Sequence, residues 1–323
     1  MAKLLIIGKT PPPIGGVSIH VQRLIRRLRQ MGFNFEFCDY GRTSALKILF
    51  KIATHRTIHI HFSNPAAQAV LAVLCRLTGK KLIITYHGCW DRYRAPGNWA
   101  VKLSVRLAHV PIVQERMSLL HALRYNPRTR EISTYIADHE IQPLPGPLQA
   151  ILTSRRKYYR ATFCTNAWNV TFDKNDREIY GISEMVKRFT RCPAYQLLVS
   201  DPSGRYRSYI EQCATHIPSN VFFINHLHDF KSILLLSEAF IRNTTTDGVS
   251  LSVHEARELG IPVLASAAVQ RPPFCSVFNN FSRTDLEAKL EEAKRLIAVP
   301  CESPDVVATL VELYREIEGS DTN

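Results

Sequence analysis

Along the chain, short unbroken apolar runs alternate with stretches whose apolar residues recur at every third or fourth position. KLLIIGK (3–9) is a run of the first kind and reads as a buried strand. VSIHVQRLIRRLRQMG (17–32) is of the second kind, with Val21, Leu24, Ile25, Leu28 and Met31 at helical spacing. Ser18 is placed to cap this helix and Gly32 to close it, while Arg23, Arg26, Arg27 and Arg29 mostly fall off the apolar stripe. FNFEFCDY (33–40), RTIHIHFS (56–63) and KLIITYHG (81–88) follow as strands, with helical SALKILFKIA and PAAQAVLAVLCRLTG between them. VPIVQ (110–114) and EISTYIA (131–137) complete the first set. Such alternation predicts a parallel sheet covered by helices on both faces.

IQPLPGP (141–147) interrupts the pattern and reads as a linker, after which the pattern restarts. RATFCTNAWNV, YQLLVSD, NVFFINH, EAFIRNT and IPVLAS read as strands, and SEMVKRFT, SYIEQCATH, FKSILLLSE and SVHEARELG as the helices between them. SPDVVATLVELYREIEG is a final amphipathic helix. The expected fold class is α/β, with two doubly wound Rossmann-like domains, 1–147 and 148–323, facing a central cleft. The final helix is able to pack back on the first domain. A length of 323 residues suits two domains of ordinary size.

Charge sharpens this picture because it is uneven. Residues 1–150 hold 21 Lys and Arg against 7 Asp and Glu, a net of +14, whereas 151–323 hold 20 against 21, a net of −1. The first half is therefore expected to face an anionic partner. The longest apolar stretch, AAQAVLAVLCRL (66–77), is too short to span a bilayer, and PPPIGG after the first strand does not resemble a signal-peptide cleavage site. Eight cysteines stand singly, which predicts reduced thiols in a cytoplasmic protein and gives the sequons at 169–171 and 243–245 no meaning.

Candidate chemistry narrows the function. GKT (8–10) fails as a P-loop, because Lys3 stands where that motif needs its first glycine, and no G-x-G-x-x-G is present. Gly15 and Gly16 end a turn just before a helix, where exposed amides and the helix dipole favour a phosphate; an ordinary strand-to-helix turn explains them equally well. His87, in TYHG, sits at the C-terminal end of a strand, the edge where open α/β sheets bind ligands. His59 and His61 alternate on one strand face with no carboxylate or cysteine beside them, so no metal site is expected. NTTTDGVSLSVHEARELGIPVLAS (243–266) raises the sharper question. Ser252 and Glu255 have the spacing of a capping box, which accounts for Glu255 but not for Asp247. Asp247 and Gly248 belong to the preceding loop, where carboxylates accept sugar hydroxyls and bare amides meet phosphate.

Taken together, PPPIGGVSIHVQRL, TYHG and the E-x(7)-E-like DGVSLSVHEARELGIPVLAS resemble the retaining nucleotide-sugar glycosyltransferases of GT-B architecture, family four, of the bacterial surface polysaccharide type. The resemblance implies that Glu255 holds the ribose of a nucleoside diphosphate sugar and that Asp247 contacts the donor sugar. Amides of Gly248, Val249 and Ser250 would lie near the diphosphate, Gly16 (with Gly15) would approach it, and His87 would touch the transferred sugar. No cofactor or metal is implied beyond the donor itself. The chain departs from the family in having Asp247 where glutamate is usual. The family's arginine–lysine pair is also missing, with Trp168 or Asn169 near the arginine position and Tyr180 before Gly181 at the lysine position. Lys174, Arg242 and Arg271 are the candidate replacement cations, Arg242 first because it lies beside the acidic loop. The expected protein is a cytoplasmic glycosyltransferase, peripheral at the inner membrane face, acting on a lipid-linked saccharide. A degenerate scaffold of an assembly complex is the alternative. A nucleic-acid binder would suit the charge but shows no recognition module.

Overall fold

The computed structural model describes residues 4–213, 216–300 and 305–319. The chain forms two compact units, Met1–Asp138 with Ser303–Asn323, and His139–Glu302. The division thus falls ahead of IQPLPGP, and the last helix belongs to the first unit.

In the first unit, β1 (Leu4–Gly8), β2 (Phe35–Asp39), β3 (Thr57–Ile60), β4 (Lys81–Thr85), β5 (Val110–Val113) and β6 (Arg130–Glu131) form one parallel sheet in the order β2-β1-β3-β4-β5-β6. β1 shows why these strands are apolar throughout: Leu5 and Ile7 enter the core on one face, Leu4 and Ile6 that on the other. Helices α1 (Gly16–Gln30), α2 (Ala45–Thr54), α3 (Pro65–Leu77), α4 (Ala95–Leu107) and α5 (Arg116–Leu123) make the crossovers. The cap of α1 is Gly15 rather than Ser18, which is the third helical residue. There the Ser18 hydroxyl accepts the Gly15 N–H at 3.0 Å and donates to the Pro13 carbonyl at 2.7 Å.

The second unit opens with α6 (Gly146–Arg156), so the PGP read as linker starts a helix with proline in its first turn. Its sheet contains β7 (Ala161–Asn166), β8 (Tyr195–Ser200), β9 (Val221–Ile224), β10 (Ala239–Arg242), β11 (Val263–Ser266) and β12 (Cys275–Phe278), in the order β12-β11-β10-β7-β8-β9. Helices α7 (Ile182–Thr190), α8 (Arg205–Cys213), α9 (Phe230–Leu234), α10 (Leu251–Glu258) and α11 (Leu286–Ile297) cover it. EISTYIA, expected as a full strand, contributes only Glu131 to β6, with Ile132 N–H bonding the Val113 carbonyl at 2.9 Å, and the residues after it are irregular. Among the described residues no helix is long and apolar enough to cross a membrane.

The last helix, α12 (Val306–Gly319), returns to the first unit, where Val307, Leu310, Val311 and Tyr314 join the core of Leu4, Ile6, Leu24 and Leu28. Tyr314 is fully buried, and its hydroxyl lies 2.7 Å from His59 Nδ1, while His59 Nε2 lies 2.8 Å from Thr85 Oγ1. Tyr314→Phe would leave that buried ring nitrogen without its partner. The expected loss is about 1–3 kcal/mol of stability, read as a lower urea midpoint with an unchanged slope.

Candidate functional site

The second sheet starts at β7 and grows to one side through β8 and β9 and to the other through β10, β11 and β12. The β7/β10 boundary is thus the topological switch point, where the C-terminal strand ends leave a crevice between diverging connections. Three strand-end residues meet there: Asn166 of β7, Arg242 of β10 and Ser266 of β11. Arg242 grips Asp247 bidentately, Nε to Oδ2 and Nη2 to Oδ1, both at 2.9 Å. Arg271 donates Nη1 to the same Oδ2 at 2.9 Å. Its Nη2 reaches Thr244 Oγ1 at 2.7 Å and Ser266 Oγ at 3.1 Å, and its Nε the Ser266 carbonyl at 2.9 Å. Arg242 Nη1 points to Asn166 Oδ1 at 3.4 Å, and the Tyr180 ring lies 5.1 Å from its guanidinium carbon. Tyr180, in the place of the expected lysine, is therefore a platform for the arginine instead of a charge. Gly181 beside it has φ +56°, and a Cβ there would stand 2.7 Å from the Asn243 carbonyl, so this turn requires glycine.

Electrostatics follow from burial. Side-chain exposure is 11% for Arg242, 3% for Arg271 and 9% for Asp247. Burial pushes the Asp247 carboxyl up, but Arg242 and then Arg271 outweigh it and hold the group below its ordinary value. Arg242 is likewise held charged, burial opposing and Asp247 prevailing. Two cations share one anion, so the cluster keeps a net charge of +1 in a dry environment. Both Asp247 oxygens accept from guanidinium groups. The acidic turn read as a sugar grip is thus occupied with holding two arginines in place.

Gly248, Val249 and Ser250 run from this cluster straight into α10, with Ser250 as its cap. The expected capping box is absent: Ser252 lies inside the helix, and its hydroxyl accepts from Asn166 Nδ2 at 2.7 Å. Glu255 is buried one turn further along α10, for which capping gives no reason. The Ser250 hydroxyl is buried with no hydrogen-bond partner among the described residues. α10 therefore offers its N-terminal amides beside two arginines, an arrangement suited to an anion. Lys174 is exposed on a turn closed by the Phe172–Glu178 bridge.

In the first unit, Gly15 and Gly16 open α1, and a Cβ built on Gly16 would meet no protein atom within 4 Å. His87 follows β4 and is half-buried. It lines a cavity with Phe62, Tyr86, Trp90, Arg92 and Tyr93. His87 Nε2 lies 3.2 Å from His61 Nδ1, and the His20 ring is 5.3 Å from the His87 ring. His20 escaped the sequence reading. Its signal was a place four residues before Leu24 and eight before Leu28, on the buried stripe of α1. Asn166 was missed too, since a strand-end asparagine carries no periodic mark.

No family model matches the chain, and no curated protein sequence does either. Solved structures do. The Anabaena protein HepE, in complex with UDP and glucose, superposes with TM-score 0.71 over 99% of this chain and 100% of its own, at 13% identity. Sucrose-phosphate synthase from Thermosynechococcus elongatus gives 0.72 over 99% and 100% at 14% identity. The trehalose-6-phosphate synthase OtsA gives 0.67 over 99% and 98% at 14% identity. The protein therefore has the two-domain α/β fold of GT-B glycosyltransferases, each unit one doubly wound half.

Burial also sets the acid response of the first unit. It pulls His20 down to about 4, against the hydrogen bond to the Thr134 carbonyl, and His59 to about 3. Unfolded, both rings titrate near about 6.5. Below that pH the unfolded chain takes up protons that the folded rings refuse. Stability is thus full above about pH 6.5 and falls as pH drops towards 4 and 3, by up to about 1.4 kcal/mol per pH unit and ring. Urea unfolding at about pH 7.5 and about pH 5 should show a clearly lower midpoint in acid. An unchanged midpoint would refute the burial of these rings.

Proposed function

We propose that the protein is a glycosyltransferase that moves a sugar from a nucleoside diphosphate to a glycan acceptor, with retention of configuration. The observation that carries this reading is the Arg242–Asp247–Arg271 cluster at the switch point, set against the N-terminus of α10. A departing diphosphate needs preorganised positive charge and N–H donors, and this corner supplies both from buried, already oriented groups. Asp247 then acts as a positioning residue: it neutralises one cation's worth of charge and fixes both guanidiniums. Glu255, buried on α10, is assigned to the ribose hydroxyls, and Gly248, Val249 and Ser250 to the diphosphate. In the first unit, Gly15 and Gly16 are assigned to the donor phosphates and His87 to the transferred sugar. Lys174, exposed on its turn, fits a peripheral contact with the donor. HepE was solved with UDP-glucose, which makes uridine donors the first to try.

Thermal shift with UDP and UDP-glucose, beside the other nucleoside diphosphates, tests donor binding, since a ligand at 100 times its Kd stabilises by about 2.7 kcal/mol. Glu255→Gln and Gly16→Val are expected to fold normally, Gly16 having open space for the new side chain, and to lose most of the shift. Shifts equal to those of the parent in both variants would overturn the assignment. A non-catalytic scaffold is the second reading, favoured by Tyr180 in the lysine position and by Asp247 being taken up by arginines. It predicts donor binding without transfer or hydrolysis, whereas the enzyme reading predicts turnover that Arg242→Ala abolishes.

The acceptor is proposed to be lipid-linked and the protein to work at an anionic membrane surface. Leu46 and Phe50 are 81% and 70% exposed on one face of α2, with Lys47 exposed beside them, in the half that carries +14. Apolar side chains flanked by cations suit an interface of acyl chains and anionic headgroups. In flotation, vesicles with anionic lipid should carry the protein and neutral ones should not, and Leu46→Ser with Phe50→Ser should release it. Equal binding to both vesicles would remove the electrostatic part of this reading.

A further inference from the structure

The C-terminal edge of the first sheet also has a switch point, between β1 and β3, and three histidines from separate segments converge there. His20 comes from α1, His61 directly follows β3, and His87 follows β4. One ring nitrogen from each can be chosen so that all lie within 4.8 Å of one another. His61 Nδ1 and His87 Nε2 are 3.2 Å apart. Nitrogens on a tetrahedral zinc, each about 2.0–2.1 Å from the metal, stand about 3.3 Å apart, so this pair already has the spacing of one ligand edge.

The remaining hydrogen bonds assign the donor atoms. His20 Nδ1 is 2.7 Å from the Thr134 carbonyl, which fixes its proton there and leaves Nε2 as the lone-pair nitrogen. That Nε2 is buried with no hydrogen-bond partner among the described residues; His61 also has a buried nitrogen without one, its Nε2, but the nitrogen it turns to His87 is Nδ1. His20 is 2% exposed and His61 fully buried, so water does not offset the cost of leaving these atoms unpaired. His59 is a neighbour but not a candidate: its two nitrogens are taken by Tyr314 and Thr85, although its ring is 4.2 Å from that of His61. Burial keeps the three rings uncharged near neutral pH, the form that binds a metal. Arg23 near His20 and Arg92 near His87 oppose a cation and set a limit on affinity.

We propose that His20, His61 and His87 form a binding site for a divalent transition metal of the zinc class. Three neutral imidazoles with no carboxylate select zinc, cobalt, nickel or copper over magnesium and calcium. With three protein ligands, and with His87 on the wall of the Tyr86–Trp90 cavity, the fourth position is left to solvent or a small ligand entering from that cavity. The site shares His87 with the sugar contact proposed above but uses none of the arginine cluster in the other unit, so metal binding by His20 and His61 is read separately from donor binding.

The test uses the full chain, stripped with chelator and titrated with Zn²⁺ against a chromophoric chelator, and with Co²⁺ followed by visible absorption. The expected result is one equivalent of metal and cobalt bands of low-symmetry nitrogen coordination without sulfur-to-metal charge transfer. His20→Gln and His61→Gln should each weaken binding by at least about tenfold, and His226→Gln, an exposed histidine of the other unit, should not. His87→Gln, at the half-buried position, supplies a variant expected to fold should the two buried ones fail circular dichroism. No stoichiometric binding, thiolate charge-transfer bands, or full affinity in the folded His→Gln variants of the cluster would each overturn the site.

Discussion

A single carboxylate holding two buried guanidiniums is the constraint on which the second unit's candidate functional corner depends. Charges inside a protein are tolerated when each is paired and its remaining donors are satisfied. Asp247 does the pairing, and Asn166, Thr244 and Ser266 take up most of the other guanidinium donors. Because those acceptors sit at the ends of β7 and β11 or in the loop after β10, the strand order itself decides where the cations stand. The result is a rigid site whose positive charge exists before any ligand arrives, at little further cost in side-chain entropy.

Much of the fold could be read from the chain because parallel strands leave strong traces. Continuous apolar runs such as LLII and IPVLAS, separated by helical stripes, gave ten of the strands at close to their observed places. What failed has physical causes. Ser252 and Glu255 match the spacing of a capping box, but the helix starts at Leu251, and Asn166, distant in sequence, claims the Ser252 hydroxyl. PGP looks like a break and instead opens α6, since proline is as much at home in a helix's first turn as in a linker. α11, with Leu286, Leu290 and Ala293 at helical spacing behind an Asp285 cap, was overlooked along with α4 and α5, and only the short β12 carries little periodic mark.

The site itself was legible in its parts and not in its connections. Asp247, Arg242 and Arg271 were all visible as candidates, yet only the folded arrangement turns the carboxylate onto the arginines. The histidines make the same point from the other side. His59 and His61 look like a pair because they alternate on one strand, but His59 is committed to Tyr314 and Thr85. The partners of His61 come from α1 and from the loop after β4, brought together by the crossover connections. Periodicity reports which face a residue occupies; it says nothing of who waits on that face.

α12 has a consequence for how the molecule comes into being. Its core residues close over a sheet whose first strand was made about 300 residues earlier, and the whole second unit intervenes. On the ribosome, where domains fold as they emerge, the intervening unit is complete while the earlier one still lacks the helix that covers Leu4 and Ile6. The nascent first unit must therefore wait with an apolar flank bare, and this is the stage of biogenesis at which chaperones would have most to protect.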